Sequence, residues 1–474
     1  MSEDKKDPKS NKMPEVSVGF VPTPTAEYRS HRKWLKSNVQ PGAPTRSTKI
    51  PLPRPIPLPL ISGPRVLMYK QDPAVAEIGI RKAYIPTMAQ DGPTDSRIQM
   101  QNVAPVSKNA LGDFIETPGT EAFDTVHTFA VVRQTLNMYQ RALGGAALPW
   151  QWNSPTNTDR INVFPRAGIT QNAYYSRGDK AIKFFYFTPP GSSTTVYTCR
   201  SFDIVAHETG HAVLDALKPN WLLGSNPPQT GGLHESFGDL TAIFLALSQL
   251  DQVEAVIAQT KANLHDKTFL ADLAEQFGLA LGRPNGLRNA DNDLKLSEAG
   301  TEVHAISQVF TGGIYDTLAD IFSYERAPAR KDDAQVLHDV GQYVCSLVLR
   351  AFIQAPDTAA TYASVVNKML QIAAADGKPV AYRNFMRNRF TVREVVVSAT
   401  PLTIDHTEGM ELAAGITDEP GVTQDRGTCC GTMMRDEYLG VAQAIQDELN
   451  EMKKYFERGT IKEMGEAKRT GTRR

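Results

Sequence analysis

The 474-residue chain reads as an α+β protein, with a mixed, strand-bearing region followed by a mainly helical one. Three observations predict this. Short extended runs among Gly, Pro and Asn turns occupy about residues 66–200. Apolar residues spaced three and four apart dominate from about 201 to 395. A composition of 41% hydrophobic and 22% charged residues is that of a globular chain able to bury a sizeable core. At roughly 100–200 residues per domain, the length predicts two or three compact units.

Residues 1–65 form a Pro-rich extension with twelve of the 31 prolines, ending in Ile-Pro-Leu-Pro-Arg-Pro-Ile-Pro-Leu-Pro-Leu from Ile50 to Leu60. Fixed φ and missing N–H groups exclude helix there and favour polyproline II, laid on a folded surface or free as a linker. Residues 66–217 are a mixed α/β lobe. Within it Val126, Phe129, Val132, Leu136, Tyr139 and Leu143 mark one buried helical face, stopped by Gly144 and Gly145. Ile182 to Phe187 reads as a strand. Residues 218–395 are a helical lobe, including a helix that starts at Asp332 and Asp333. Residues 396–474 are a C-terminal extension, with a Gly-flanked Cys429-Cys430 pair and a helix expected over 434–456.

A net charge of -1 gives no broad positive field for a polyanion, so nucleic acid is not an expected partner. Four cysteines cannot build a dense disulfide framework. The longest apolar runs, such as Ala242 to Leu247, fall short of the ~18 residues of a membrane span. The start, MSEDKKDPKSNKMP, lacks the apolar core of a signal peptide. The expectation is a non-membrane, cytoplasmic protein, or one exported by a route its N-terminus does not show. Nothing in the sequence speaks to oligomeric state.

The chemistry sits in Phe202 to Asp215, which contains His207-Glu208-Thr209-Gly210-His211. On a helix, positions i and i+4 share a face, so His207 and His211 can offer two imidazole nitrogens to one ion. Glu208 lies one residue on, angled to the same cleft without ligating. A catalytic zinc takes three protein ligands and leaves one position open. Glu235 and Asp239, again at i and i+4 on an apolar helix, can supply a third ligand and a hydrogen-bond acceptor for a ligand histidine. His234 adjoins Glu235 about 100° round the helix and reads as an orienting neighbour rather than a ligand. A structural hydrogen bond is the alternative for Asp215 and Asp239. His127, His265, His338 and His406 lack ligand spacing.

These residues resemble the gluzincins, and among them the thermolysin-like zinc metallopeptidases. The family pattern H-E-x-x-H-x-x-x-D is met by His207 to Asp215, and E-x-x-[SG]-D by Glu235 to Asp239. Asp203 stands four before the first histidine. Asn172-Ala173-Tyr174-Tyr175 is similar to the N-A-aromatic-aromatic segment, and Val303-His304-Ala305-Ile306-Ser307 to V-H-x-x-S. The resemblance implies two lobes with a cleft between, one catalytic zinc on His207, His211 and Glu235, Glu208 as general base and His304 stabilising the oxyanion. Asn172, Ala173 and Tyr175 would hold an extended peptide substrate, with Asp215, Asp239 and His234 behind the ligands. Ile204 is a candidate apolar wall, and the Ile182 to Phe187 strand a partner for main-chain pairing.

Three departures stand out. The family's Asn before the third ligand is His234 here. Between His211 and Glu235 the only aromatic donor is Trp221, where the family draws a tyrosine. Ala242 to Ala246 is apolar where calcium-site carboxylates are usual, so calcium is doubtful although Asp203 remains. The expected function is a zinc endopeptidase. The alternatives are a binding or scaffold protein on the same fold, and a zinc amidohydrolase acting on short peptides.

Overall fold

Thr120 opens the first helix by accepting a hydrogen bond on its side chain from the Phe123 N–H, and α1 then runs Glu121–Ala142. In this computed structural model, which describes residues 63–283 and 286–395, the face expected from the three-and-four spacing is buried from Val126 through Tyr139. Gly144 and Gly145 follow at φ +68° and +93°, conformations that a side chain would disfavour. Residues 1–62 and 396–474 lie outside the described residues, and with them the proline run, Cys429, Cys430 and the helix expected over 434–456. The described residues all fall in one contact unit.

Around α1 the chain is β-rich. Strands β1 (Arg65–Tyr69) and β2 (Ile80–Tyr84) form an antiparallel hairpin. Strands β3 (Ile98–Met100), β4 (Ile161–Phe164), β5 (Ala173–Ser176) and β6 (Ala181–Phe184) form a sheet in the order β3-β4-β6-β5. Its β3–β4 and β4–β6 pairs are parallel and its β5–β6 pair is antiparallel, with Ala173 opposite Phe184 and Ser176 opposite Ala181. The single strand expected from Ile182 to Phe187 is therefore two. Phe185 leaves the ladder to donate to the Thr198 hydroxyl and the Asn172 carbonyl, and β7 (Tyr186–Phe187) pairs instead with β8 (Val196–Tyr197). Because β6 is paired on both sides, the outer strands of this sheet are β3 and β5, so the expected main-chain pairing does not fall on β6.

Ser201 then caps α2 (Phe202–Leu217), which stops at Lys218 ahead of Pro219. Helix α3 (Pro228–Leu247) begins on Pro227 and Pro228, residues suited to a first turn, and every one of its residues is buried. The two helices touch at glycines. A Cβ on Gly210 would stand 2.4 Å from Thr241 Oγ1 and 3.2 Å from Gly238 Cα, so this close crossing requires the absence of a side chain.

After α4 (Leu250–Thr260) the chain crosses short pieces, β9 (Asp272–Leu273), α5 (Glu275–Ala280), β10 (Arg288–Asn289) and α6 (Leu296–Ala299), where β9 and β10 pair. It closes with α7 (Val303–Glu325), α8 (Asp333–Gln354), α9 (Tyr362–Ala375) and α10 (Val380–Val392). Asp332 caps α8 as its acidic start suggested. That helix is long and apolar enough to cross a membrane by length and composition, and most of its apolar window is covered inside the fold. Cys345 is buried on it. Nearly half of the described residues are helical, and one continuous apolar core runs from Val66 to Val395.

Candidate metal centre

Uninterrupted helix from Phe202 to Leu217 puts His207 and His211 one turn apart, and their Nε2 atoms stand 2.9 Å from each other. Helix α3 brings Glu235 to the same point: its carboxylate oxygens lie 3.6 Å from His207 Nε2 and 3.5 Å from His211 Nε2. His207 is 4% exposed, and His211 and Glu235 are fully buried. Neither Glu235 oxygen accepts a hydrogen bond among the described residues. A buried carboxylate without a donor is costly, and with two imidazole nitrogens facing it, a cation held by all three would relieve that cost. Two nitrogens and a carboxylate are a donor set suited to zinc, so the residues fit the ion that the sequence implies.

The far sides of the ligands are also held. His207 Nδ1 lies 2.9 Å from Asp239 Oδ1, which in turn lies 3.1 Å from Arg288 Nε. His211 Nδ1 lies 2.7 Å from His234 Nδ1, with the two rings stacked. Burial, then the nearby Arg177 and His207, push the His234 pKa down to about 3, so its ring is neutral. If His211 ligates through Nε2, its proton sits on Nδ1 and His234 Nδ1 accepts it. The contact that an asparagine was expected to make is thus remade by a second imidazole.

Residue 302 was not among the expected site residues, yet it organises His304. The Glu302 side chain caps α7 by accepting from the His304 and Ala305 N–H groups, and its Oε1 lies 2.5 Å from His304 Nδ1. Burial pushes the Glu302 carboxyl up, but His304 and these backbone donors outweigh it and hold it below its ordinary value. The opposite nitrogen, His304 Nε2, stands 3.5 Å from Glu235 Oε2, so the structure brings His304 to the three ligands.

A cleft beside the ligands is lined by Asn172, Ala173, Ile204, Glu208, Phe277 and Arg288, among others. The Asn172 side chain accepts from the Ala173 N–H, and its own carbonyl accepts from Thr198. Tyr175 is not in this lining. It is 1% exposed, and its hydroxyl donates to Asp215 Oδ2 at 2.7 Å, so it packs behind the cleft rather than meeting a substrate. Asp215 also binds the Arg177 guanidinium, the structural alternative among its readings. Trp221 is turned away, donating to the Pro356 carbonyl. Arg288 is the cation that enters the cleft. It had no sequence signal, being one arginine some fifty positions beyond Asp239, which it approaches.

Asp203 lies deeper, with two carboxylates that no local pattern tied to it. Its Oδ2 accepts from the Ala274 N–H, and Asp72 accepts from the Gln276 N–H. Burial, then Asp72, raise the Asp203 pKa well above its usual range, and burial, then Asp72 and Asp203, do the same for Glu275. One oxygen of each of these three acids accepts no hydrogen bond among the described residues. Protons or a cation must neutralise them.

No family model matches the sequence, and no curated protein matches it. Among solved structures, the chain is similar to the precursor of protealysin, a metalloproteinase from Serratia proteamaculans, with a TM-score of 0.40 and 13% identity over 64% of this chain and 86% of that one. A likeness this distant carries no functional argument; that rests on the site.

Proposed function

We propose that this protein is a zinc-dependent endopeptidase whose metal is held by His207, His211 and Glu235. The observation that carries the reading is the convergence of three buried ligand groups, two of them oriented from behind by Asp239 and His234. When bound, zinc supplies a Lewis acid that acidifies a water and polarises a carbonyl. Glu208, on the cleft wall one residue from His207, takes the water proton and passes it to the leaving amine. His304, fixed through Nδ1 by Glu302, presents Nε2 to the charge that develops on the carbonyl oxygen. Asn172 and the open edge of β5 hold an extended chain, and Ile204 and Phe277 offer it an apolar wall.

Glu208 on the cleft wall and His304 beside the three ligands favour catalysis over the scaffold alternative, since holding an ion needs neither. The test combines metal analysis with casein and furylacryloyl-dipeptide assays on the wild type and Glu208→Gln. Glu208→Gln should keep the zinc at this centre and lose at least ~100-fold in rate. Equal rates would sink the mechanism. An inactive, zinc-loaded wild type would favour the scaffold, and turnover of the dipeptide but not casein the short-peptide hydrolase.

A further inference from the structure

The long connection between α4 and α6 carries Phe277 and Arg288 to the cleft, so whatever fastens it also sets the cleft wall. At its back, three ligand-type side chains meet that are far apart in sequence. His265 comes from the loop after α4, Asp291 follows β10, and Asp316 lies in the middle of α7. One ligand atom from each lies within 4.8 Å of the others. His265 Nδ1 stands 2.8 Å from Asp291 Oδ1. Asp316 is 4% exposed, and both of its guanidinium contacts, Arg393 at 2.8 Å and Arg389 at 3.5 Å, fall on Oδ2. Its Oδ1 accepts no hydrogen bond among the described residues.

We propose that His265, Asp291 and Asp316 form a second divalent-cation site that fastens this connection to α7. One imidazole and two carboxylates suit zinc or manganese; calcium prefers oxygen alone. Arg389 and Arg393 stay on the Oδ2 side of Asp316, and Arg389 is taken up by Asp320 with Asp293 nearby. His265 and Asp291 are only partly buried, which leaves the ion a path in, whereas Asp316 supplies the buried anchor.

The site is independent of His207, His211 and Glu235, and the experiment keeps the two apart. Metal-free full-length chain carrying His207→Ala and His211→Ala is titrated with Zn2+, Mn2+ and Ca2+ by calorimetry, with circular dichroism to confirm the fold. One equivalent of zinc or manganese should bind. Adding His265→Ala or Asp291→Asn should weaken it at least ~100-fold, since partners behind a ligand alone are worth about 10–100-fold. No binding in the starting background overturns the proposal, as does binding that survives both added changes or that is seen with calcium only. Should that background fail to fold, the native chain decides instead: two equivalents in the wild type against one in Asp291→Asn, with equal stoichiometry the refuting result.

Discussion

Gly238→Ala should damage the metal centre without touching a ligand. A methyl group there would stand 2.6 Å from both Cε1 and Nδ1 of His207 and 2.9 Å from its Cγ. Ordinary carbon contacts lie at about 3.5–4.0 Å, so the imidazole must retreat by roughly 1 Å. Its Nδ1 is already set against Asp239, so the movement breaks the orientation that aims Nε2 at the ion. Two effects oppose each other. Alanine gains up to ~1 kcal/mol of helix propensity over glycine, whereas overpacking a full core costs typically ~1–3 kcal/mol. Every α3 residue near this point is buried, so overpacking wins and the metal-free chain should lose about 1 kcal/mol in urea unfolding. The larger loss is functional. Zinc affinity, measured by chelator competition, should fall at least ~10-fold, and turnover at saturating zinc ~100-fold, the scale of a 1 Å misplacement. A Gly238→Ala chain that is more stable, binds zinc as the wild type does and keeps its rate would refute the close-contact argument.

Three further outcomes are expected. Burial pushes the His127 pKa down to about 3, so the unfolded chain takes up a proton below pH 6.5 that the folded chain refuses. Stability therefore falls as pH drops from 6.5 towards 3, and His127→Leu should recover on the order of 2 kcal/mol at pH 4; an unchanged acid limb in urea unfolding would contradict this. Burial raises the Asp272 carboxyl to about 7 from 3.8, so in metal-free protein its protonated form favours the fold and stability declines as pH climbs from about 4 to 7. Asp272→Asn should remove that slope and stabilise at pH 8 by up to ~4 kcal/mol, and equal slopes in the two chains would refute the assignment. Glu302→Gln should leave zinc content intact, lower kcat/KM ~10–100-fold and shift the pH profile through His304; a wild-type profile would remove Glu302 from the site.

What the sequence made legible was local. His207 and His211, or Glu235 and Asp239, are one turn apart on helices whose apolar spacing is visible in a short window, so their shared faces follow from 3.6-residue geometry. The first helix and its glycine stop were legible for the same reason. Strand pairing was not. Ile182 to Phe187 has the composition of one strand, and it divides where the Phe185 N–H turns to the Thr198 hydroxyl and the Asn172 carbonyl. Tyr175 sits in a segment suggestive of substrate binding, yet strand alternation puts its ring on the buried face, towards Asp215. Asp72, Asp203 and Glu275 gather across some two hundred positions, and Arg288 reaches Asp239 from outside any motif. Such meetings follow from tertiary packing, which leaves no periodic trace.

His234 bears on why the centre is built as it is. An asparagine at that position offers His211 a carbonyl oxygen and can place its amide protons separately. A neutral imidazole that accepts on Nδ1 must carry its proton on Nε2, and His234 Nε2 is buried with no hydrogen-bond partner among the described residues. Leaving such a donor unsatisfied costs about 1–3 kcal/mol. What offsets it is ring stacking, at 4.8 Å between centroids and 25° between planes, and a rigid acceptor for His211. Ring stacking would serve the fold equally well with a phenylalanine at 234, which has no buried N–H. The histidine gains its advantage only if the direction of His211 Nε2 matters, and that direction matters for holding an ion.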